Sequence, residues 1–129
     1  MNELPKGGNE TILVAEDDET LRKLTETVLS QFGYAVILAE DGDDAIEKFK
    51  THNDVIRLVI LDMIMPGKSG REAYDSMKVL KPDIRALFAS GYTADIIQKR
   101  GMIDPQVDFV TKPLSPIDLL RKVREILDR

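Results

Sequence analysis

Asp62 directly follows the apolar run Leu58-Val59-Ile60-Leu61, so a carboxylate stands at the end of a segment of strand length. A desolvated carboxylate is costly unless something pairs with it, which argues for a chemical role over a packing role. The arrangement recurs along the chain. Ile12-Leu13-Val14-Ala15 runs into Glu16-Asp17-Asp18, Leu87-Phe88-Ala89 into Ser90, and Phe109-Val110-Thr111 into Lys112. If these runs lie side by side and parallel, Glu16, Asp17, Asp62, Ser90 and Lys112 converge on one edge of a sheet.

Crowded carboxylates repel unless a cation joins them. Oxygen-only donors favour a hard ion, and a few carboxylates completed by waters and a phosphoryl oxygen suit Mg²⁺. There is no cysteine, and the one histidine, His52, follows the second helical segment, so a zinc site is not expected. Lys112 is a counter-charge for Asp62, expected on the side away from the other acids, and could equally hold an anion added to it. Ser90 adds a hydroxyl. A carboxylate, a divalent ion, an ammonium and a hydroxyl are the parts of a phosphoryl transfer in which the carboxylate attacks in line. The implied product is an aspartyl phosphate.

The elements that must position these groups alternate. Strands are expected at Thr11–Ala15, Ala35–Ala39, Ile56–Leu61, Ile84–Ala89 and Val107–Thr111. The first helix shows Leu21, Leu24, Val28, Leu29 and Phe32 at helical spacing and ends at Gly33. The second spans Asp41–Thr51, with Ala45, Ile46 and Phe49 inward. The third spans Ser69–Leu80, with Ala73, Tyr74, Met77 and Leu80 as its stripe. A weak fourth covers Ala94–Arg100. In the last, Ser115 caps, Pro116 suits the first position, Asp118 completes a capping-box pattern, and Leu120, Val123 and Leu127 face inward. Five such units with continuous apolar strands predict an α/β fold, a doubly wound parallel sheet with helices on both faces. Ligands bind such sheets beyond the carboxyl ends of the strands, where all five polar groups fall.

Composition bounds the function. A chain of 129 residues fits one domain, with residues 1–10 as a linker or loose terminus and 11–129 as the folded unit. A net charge of -5 argues against general attraction to nucleic acid or anionic membrane. No apolar stretch approaches the ~18 residues of a membrane helix, and Met1-Asn2-Glu3-Leu4-Pro5 is unlike a signal peptide, so a cytoplasmic location is expected.

Four motifs now carry a resemblance: Ile12-Leu13-Val14-Ala15-Glu16-Asp17-Asp18, Leu61-Asp62-Met63-Ile64-Met65-Pro66-Gly67, Ala89-Ser90-Gly91 and Phe109-Val110-Thr111-Lys112-Pro113. Over residues 11–128 the chain resembles the receiver domains of two-component response regulators. The resemblance implies the flavodoxin-like (βα)5 fold with strand order 2-1-3-4-5. It implies that Asp62 accepts a phosphoryl group from a phosphohistidine on a histidine kinase or histidine phosphotransfer domain. Glu16, Asp17, Asp62 and the backbone carbonyl of Ile64 would hold Mg²⁺, with Mn²⁺ as a substitute. Ser90 and Lys112 would bind the phosphoryl group, Phe109 would be the switch aromatic, and Lys112-Pro113 would be a cis peptide.

In the family aspartate is commoner at position 16, alanine at 91 and tyrosine at 109. The Ser90-Gly91-Tyr92-Thr93 sequence and the Leu4-Pro5-Lys6-Gly7 lead-in resemble receivers at the C-terminus of hybrid sensor histidine kinases. The expected output face joins the fourth helix, fifth strand and fifth helix and takes a protein partner or a second copy, with no output module expected after Arg129. The domain is not a conventional enzyme in this reading, beyond its own phosphorylation and slow dephosphorylation. Rival readings are a constitutive receiver-like interaction module, a flavodoxin relative and a hydrolase with an aspartyl intermediate. The intact acid set, Ser90 and Lys112 oppose the first. Glu16-Asp17-Asp18-Glu19 would repel the phosphate of the second. Ile64 cannot position a water for the third.

Overall fold

The computed structural model describes residues 4–91, 108–113 and 115–129. Five strands form one parallel sheet in the order β2-β1-β3-β4-β5, with β1 at Thr11–Ala15, β2 at Ala35–Ala39, β3 at Ile56–Asp62, β4 at Arg85–Ser90 and β5 at Asp108–Thr111. Cover on both faces of the sheet follows from the sequence pattern. Side chains on a strand alternate between faces, so a strand apolar at every position needs cover on both sides. Leu13, Val59, Leu61 and Phe88 enter one core with Ala45, Phe49, Ala73 and Met77 of the helices α2 (Gly42–His52) and α3 (Gly70–Leu80). Ile12, Val14, Leu58, Ile60 and Leu87 enter the other, with Leu29 of α1 (Glu19–Gln31) and Leu119, Leu120, Val123 and Ile126 of the C-terminal helix (Pro116–Leu127).

Boundaries differ from the sequence reading where the ladder decides them. The β3 strand runs on through Asp62, which pairs with Ala89, and β4 runs through Ser90, which pairs with Thr111. Asp62 and Ser90 are therefore the last residues of their strands, held in the sheet ladder. His52 closes α2 rather than following it. The expected helix at 94–100 and Val107 lie outside the described residues.

Two expected inner positions are not inner. Leu24 is 49% exposed because Thr25, i+4 from Leu21 and i−4 from Leu29, takes the buried line and satisfies its hydroxyl on the Leu21 carbonyl at 2.9 Å. Leu80 is 48% exposed at the last position of α3, where the helix runs past its cover. Similarly, Ile126 rather than Leu127 is the buried end of the C-terminal seam.

Caps fix the helix starts nearest the carboxyl edge. Asp18 accepts from Leu21 N at 2.9 Å and Asp41 from Asp44 N at 2.8 Å. At the C-terminal helix Ser115 Oγ accepts from Asp118 N at 3.4 Å. The complete capping box stands instead at α3, where Ser69 Oγ accepts from Glu72 N at 3.1 Å and Glu72 Oε1 accepts from Ser69 N at 3.0 Å. Glutamate has the extra methylene that the return bond needs. Ser69→Ala is expected to lower stability by about 1 kcal/mol, read as a shift of the urea midpoint at constant slope. An unchanged midpoint would mean that the cap contributes nothing.

Residues 7–10 lie against the body of the domain. Gly8 N donates to the Phe32 carbonyl at 3.0 Å, and Arg124 holds Glu10 Oε2 at 2.7 Å. That pairing, with two hydrogen bonds from one guanidinium, holds the Glu10 carboxyl below its usual range.

Candidate functional site

The parallel strands bring the carboxyl-edge groups together as their periodicity requires. One carboxylate oxygen from each of Glu16, Asp17 and Asp62 lies within 4.8 Å of the other two, with Glu16 and Asp62 buried and Asp17 exposed. Lys112 Nζ sits 2.6 Å from Glu16 Oε1 and 3.0 Å from Asp62 Oδ2. Lys112 is thus not confined to the far side of Asp62, as its place after β5 suggested. A lysine stem is long enough to cross β3, and its ammonium settles between the two most buried acids. The backbone at the edge is tied down as well. Lys112 N donates to the Ser90 carbonyl at 2.7 Å, and Met63 N to the Ala89 carbonyl at 2.8 Å. The Lys112–Pro113 peptide bond is cis.

Glu16 carries the main electrostatic strain. Burial pushes its carboxyl up from the ordinary 4.5 to about 7; the Lys112 hydrogen bond opposes this, and the hydrogen bond and charge of Asp62 add to it. Burial works against the charge on Lys112, but the bonds and charges of Glu16 and Asp62 outweigh it and raise its pKa. The cluster is one acid pair sharing one ammonium, short of positive charge. An all-oxygen donor set with excess negative charge fits a hard divalent cation.

Two residues that sequence reasoning passed over shape this edge. Gly70 opens α3 directly behind Asp62, and a Cβ there would overlap the Asp62 carbonyl oxygen. Arg22, on α1, donates from Nη1 to the Glu16 carbonyl at 2.8 Å. A glycine at a helix start and an arginine in an amphipathic helix are too common to signal these roles. Ile64 is 52% exposed beside the site, and Phe109 is half-buried, packed against the α2–α3 core instead of sealed in it.

Oxygen donors for a hard cation beside an ammonium suit one class of chemistry, the handling of a phosphoryl group at a carboxylate. The model of the response regulator receiver domain matches residues 12–124, and the chain belongs to that family. It is 35% identical over 118 residues to response regulator RR06 of Streptococcus pneumoniae, covering 92% of this chain and 53% of that protein. It is 30% identical over 122 residues to the sensor kinase CckA of Brucella abortus, covering 95% of this chain and 13% of that protein. The chain therefore spans about half the length of one relative and a small part of the other. A CheY-like receiver domain structure from Methanospirillum hungatei superposes with a TM-score of 0.78 at 26% identity, covering 94% of this chain and 95% of that one. Receiver domains of this family serve phosphorylation-based two-component signalling and are signalling domains, not conventional enzymes. Receiver domains bind Mg²⁺ through acidic residues and partner with histidine kinases and downstream effectors. Among the described residues no helix is long and apolar enough to cross a membrane.

The Glu16 shift gives a pH dependence. Its folded pKa lies above the unfolded value, so between pH 4.5 and about 7 the folded state holds a proton that the unfolded state has released. This contribution to stability is complete below that window and is lost as pH rises through it. A divalent cation taken up by Glu16 would have to displace the same proton. Mg²⁺ affinity is expected to rise between about pH 6 and pH 8, with proton release detectable by calorimetry in buffers of different ionisation heat. Binding without proton release in that range would refute the assignment.

Proposed function

We propose that Asp62 is the phosphoacceptor of this receiver domain. The observation that carries the reading is the carboxylate triad of Glu16, Asp17 and Asp62 with Lys112 bridging its two buried members. Asp62 attacks the phosphorus of a phosphohistidine in line on a histidine kinase or histidine phosphotransfer domain. The P–N bond breaks, its electron pair stays on the imidazole, and the phosphoryl group becomes an acyl phosphate on Asp62. Glu16, Asp17, Asp62 and the carbonyl of Ile64 would hold Mg²⁺, for which Mn²⁺ could substitute. The ion neutralises charge on the phosphoryl oxygens when bound. Lys112 exchanges its carboxylate contacts for the phosphoryl group, and the Ser90 hydroxyl closes on it.

Phosphorylation adds about -1.5 to -2 charges at this edge. Lys112 and Ser90 gain contacts in only one arrangement of their strand ends, so the population shifts toward it. Phe109, half-buried on β5, changes its burial with that shift. The output face comprises β5 and the C-terminal helix, and it takes a downstream protein or a second copy. Ile64 places an apolar side chain where a hydrolytic water would need a partner, so the acyl phosphate is expected to be long-lived; decay within seconds would refute this.

The test is incubation with a small-molecule phosphodonor and Mg²⁺, followed by intact mass. One phosphoryl group should be gained, only with Mg²⁺, and none in Asp62→Ala. No gain in the wild type would favour a constitutive interaction module. The likeness to a sensor kinase supports a second reading for the parent chain, a receiver within a hybrid histidine kinase in the cytoplasm, testable by transfer from the kinase core of that chain.

A further inference from the structure

We infer that Arg22 is a positioning residue that holds the β1–α1 loop, and with it the Asp17 carboxylate, in the geometry that binds Mg²⁺. Asp17 is the exposed member of the acid triad, and the described hydrogen bonds include none to its side chain. Its carboxylate is placed by the backbone of residues 16–18. That backbone is fixed from three sides. Glu16 N donates to the Ala39 carbonyl at 3.1 Å, Asp18 N donates to Glu16 Oε2 at 3.2 Å, and Arg22 Nη1 donates to the Glu16 carbonyl at 2.8 Å.

The third bond differs in kind. Glu16 Oε2 is itself a candidate metal donor, so the Asp18 contact weakens if the carboxylate turns to an ion. The Arg22 bond uses no carboxylate of the triad and persists whether or not an ion is present. It is also charge-assisted and, at 2.8 Å, the shortest of the three. Arg22 is in turn held on α1, where its own backbone N–H bonds the Asp18 carbonyl at 2.9 Å. The loop is thus closed into a ring, from Glu16 through Asp18 to Arg22 and back to Glu16. The peptide linking Glu16 to Asp17 is the one whose oxygen Arg22 holds, so releasing it frees the dihedral angles that aim Asp17.

A purely electrostatic role predicts the opposite sign. Arg22 is a cation near the acid cluster, and its charge is felt by Glu19 and by Asp44 on α2. Removing a nearby positive charge alone would tighten Mg²⁺ binding. Removing a positioning bond weakens it, because ordering the loop must then be met from binding free energy.

The inference rests on the proposed metal role of Glu16 and Asp17, and the experiment separates the two. Mg²⁺ is titrated calorimetrically into wild type, Arg22→Met and Arg22→Lys, with urea unfolding as control and amide exchange of Asp17 and Asp18 recorded without metal. If the wild type binds no Mg²⁺, the reading of the site fails. If it binds, Arg22→Met should raise the dissociation constant about tenfold, the lower end of the range seen when a residue orienting a metal ligand is lost. Arg22→Lys, which keeps a charged donor, should stay within about threefold. Exchange at Asp17 and Asp18 should accelerate in Arg22→Met alone. Phosphorylation by a small donor should slow at low Mg²⁺ and recover at saturating Mg²⁺, placing the effect in metal binding. Equal or tighter Mg²⁺ binding by Arg22→Met overturns the inference. So does global unfolding of Arg22→Met beside a native Arg22→Lys, since the bond would then serve the whole fold.

Discussion

Lys112→Ala is expected to slow phosphoryl transfer to Asp62 by about 100-fold or more while tightening Mg²⁺ binding. The two effects have opposite signs because one ammonium serves two states. Without a phosphoryl group, Lys112 lies 2.6 Å from Glu16 and 3.0 Å from Asp62, and it competes with any cation for those oxygens. Its removal leaves two buried carboxylates with no positive partner among the described ion pairs at this edge. Their mutual repulsion then rises, and a divalent ion relieves it. During transfer the balance reverses. Negative charge spreads over the phosphoryl oxygens, and a fixed donor in a site screened from water is worth more there than in solution. Burial matters to the size of the effect: the Lys112 side chain is only 19% exposed, so water replaces it poorly. Intact-mass time courses and Mg²⁺ calorimetry measure the two halves separately. A transfer rate within twofold of wild type would remove Lys112 from the chemistry. Weaker Mg²⁺ binding would show that it organises the acids instead of competing for them. Lys112→Arg should keep the charge yet transfer poorly, because a planar guanidinium cannot occupy the point between Glu16 and Asp62 that an ammonium fills.

Much of this edge was legible in sequence, for a physical reason. A strand buried on both faces must be apolar throughout, so the first polar residue after each run marks the end of the sheet. Glu16, Asp62, Ser90 and Lys112 were found that way, and the parallel ladder places them together. The last cap was legible too, because Ser115 stands one residue before an amphipathic period that opens on Pro116. What the sequence could not show depends on reach across elements. Nothing in the spacing of Lys112 says that its ammonium contacts Glu16, three strands away in the sheet, beyond β4 and β3. Nothing at Arg22 says that its guanidinium returns to a carbonyl of the preceding loop. The contact between Gly70 and the Asp62 carbonyl is a distance between backbones, invisible to composition. Leu24 and Thr25 show the same limit on a smaller scale. Hydrophobicity favours Leu24 as the inner residue, whereas the helix phase set by Leu21 and Leu29 turns Thr25 inward.

Phe88→Ala should cost about 3–5 kcal/mol, a large part of the roughly 5–15 kcal/mol that stabilises a domain of this kind. Phe88 is fully buried on central strand β4, between β3 and β5, so neither neighbour can close over a void without breaking its ladder. Its ring meets Tyr74 of α3 edge-on, with centroids 5.6 Å apart and planes at 85°. That contact adds to the area term, since the positive ring edge meets a negative face. Tyr74 is itself pinned, its hydroxyl donating to the Ile84 carbonyl at 3.3 Å, so it cannot swing in to fill the space. The consequence reaches the site. Phe88 lies two residues before Ser90 on the same strand and pairs in register with Phe109. A void here loosens the strand ends that carry Ser90 and Lys112, so phosphorylation should weaken even where the variant stays folded. Urea unfolding reads the stability loss, and the melting temperature should fall by roughly 10–20 °C. Phe88→Leu refills most of the space and should cost clearly less. A loss under about 1.5 kcal/mol in Phe88→Ala would mean that the α3 face of the sheet can collapse onto the cavity, and that the strand ends are not held by close packing.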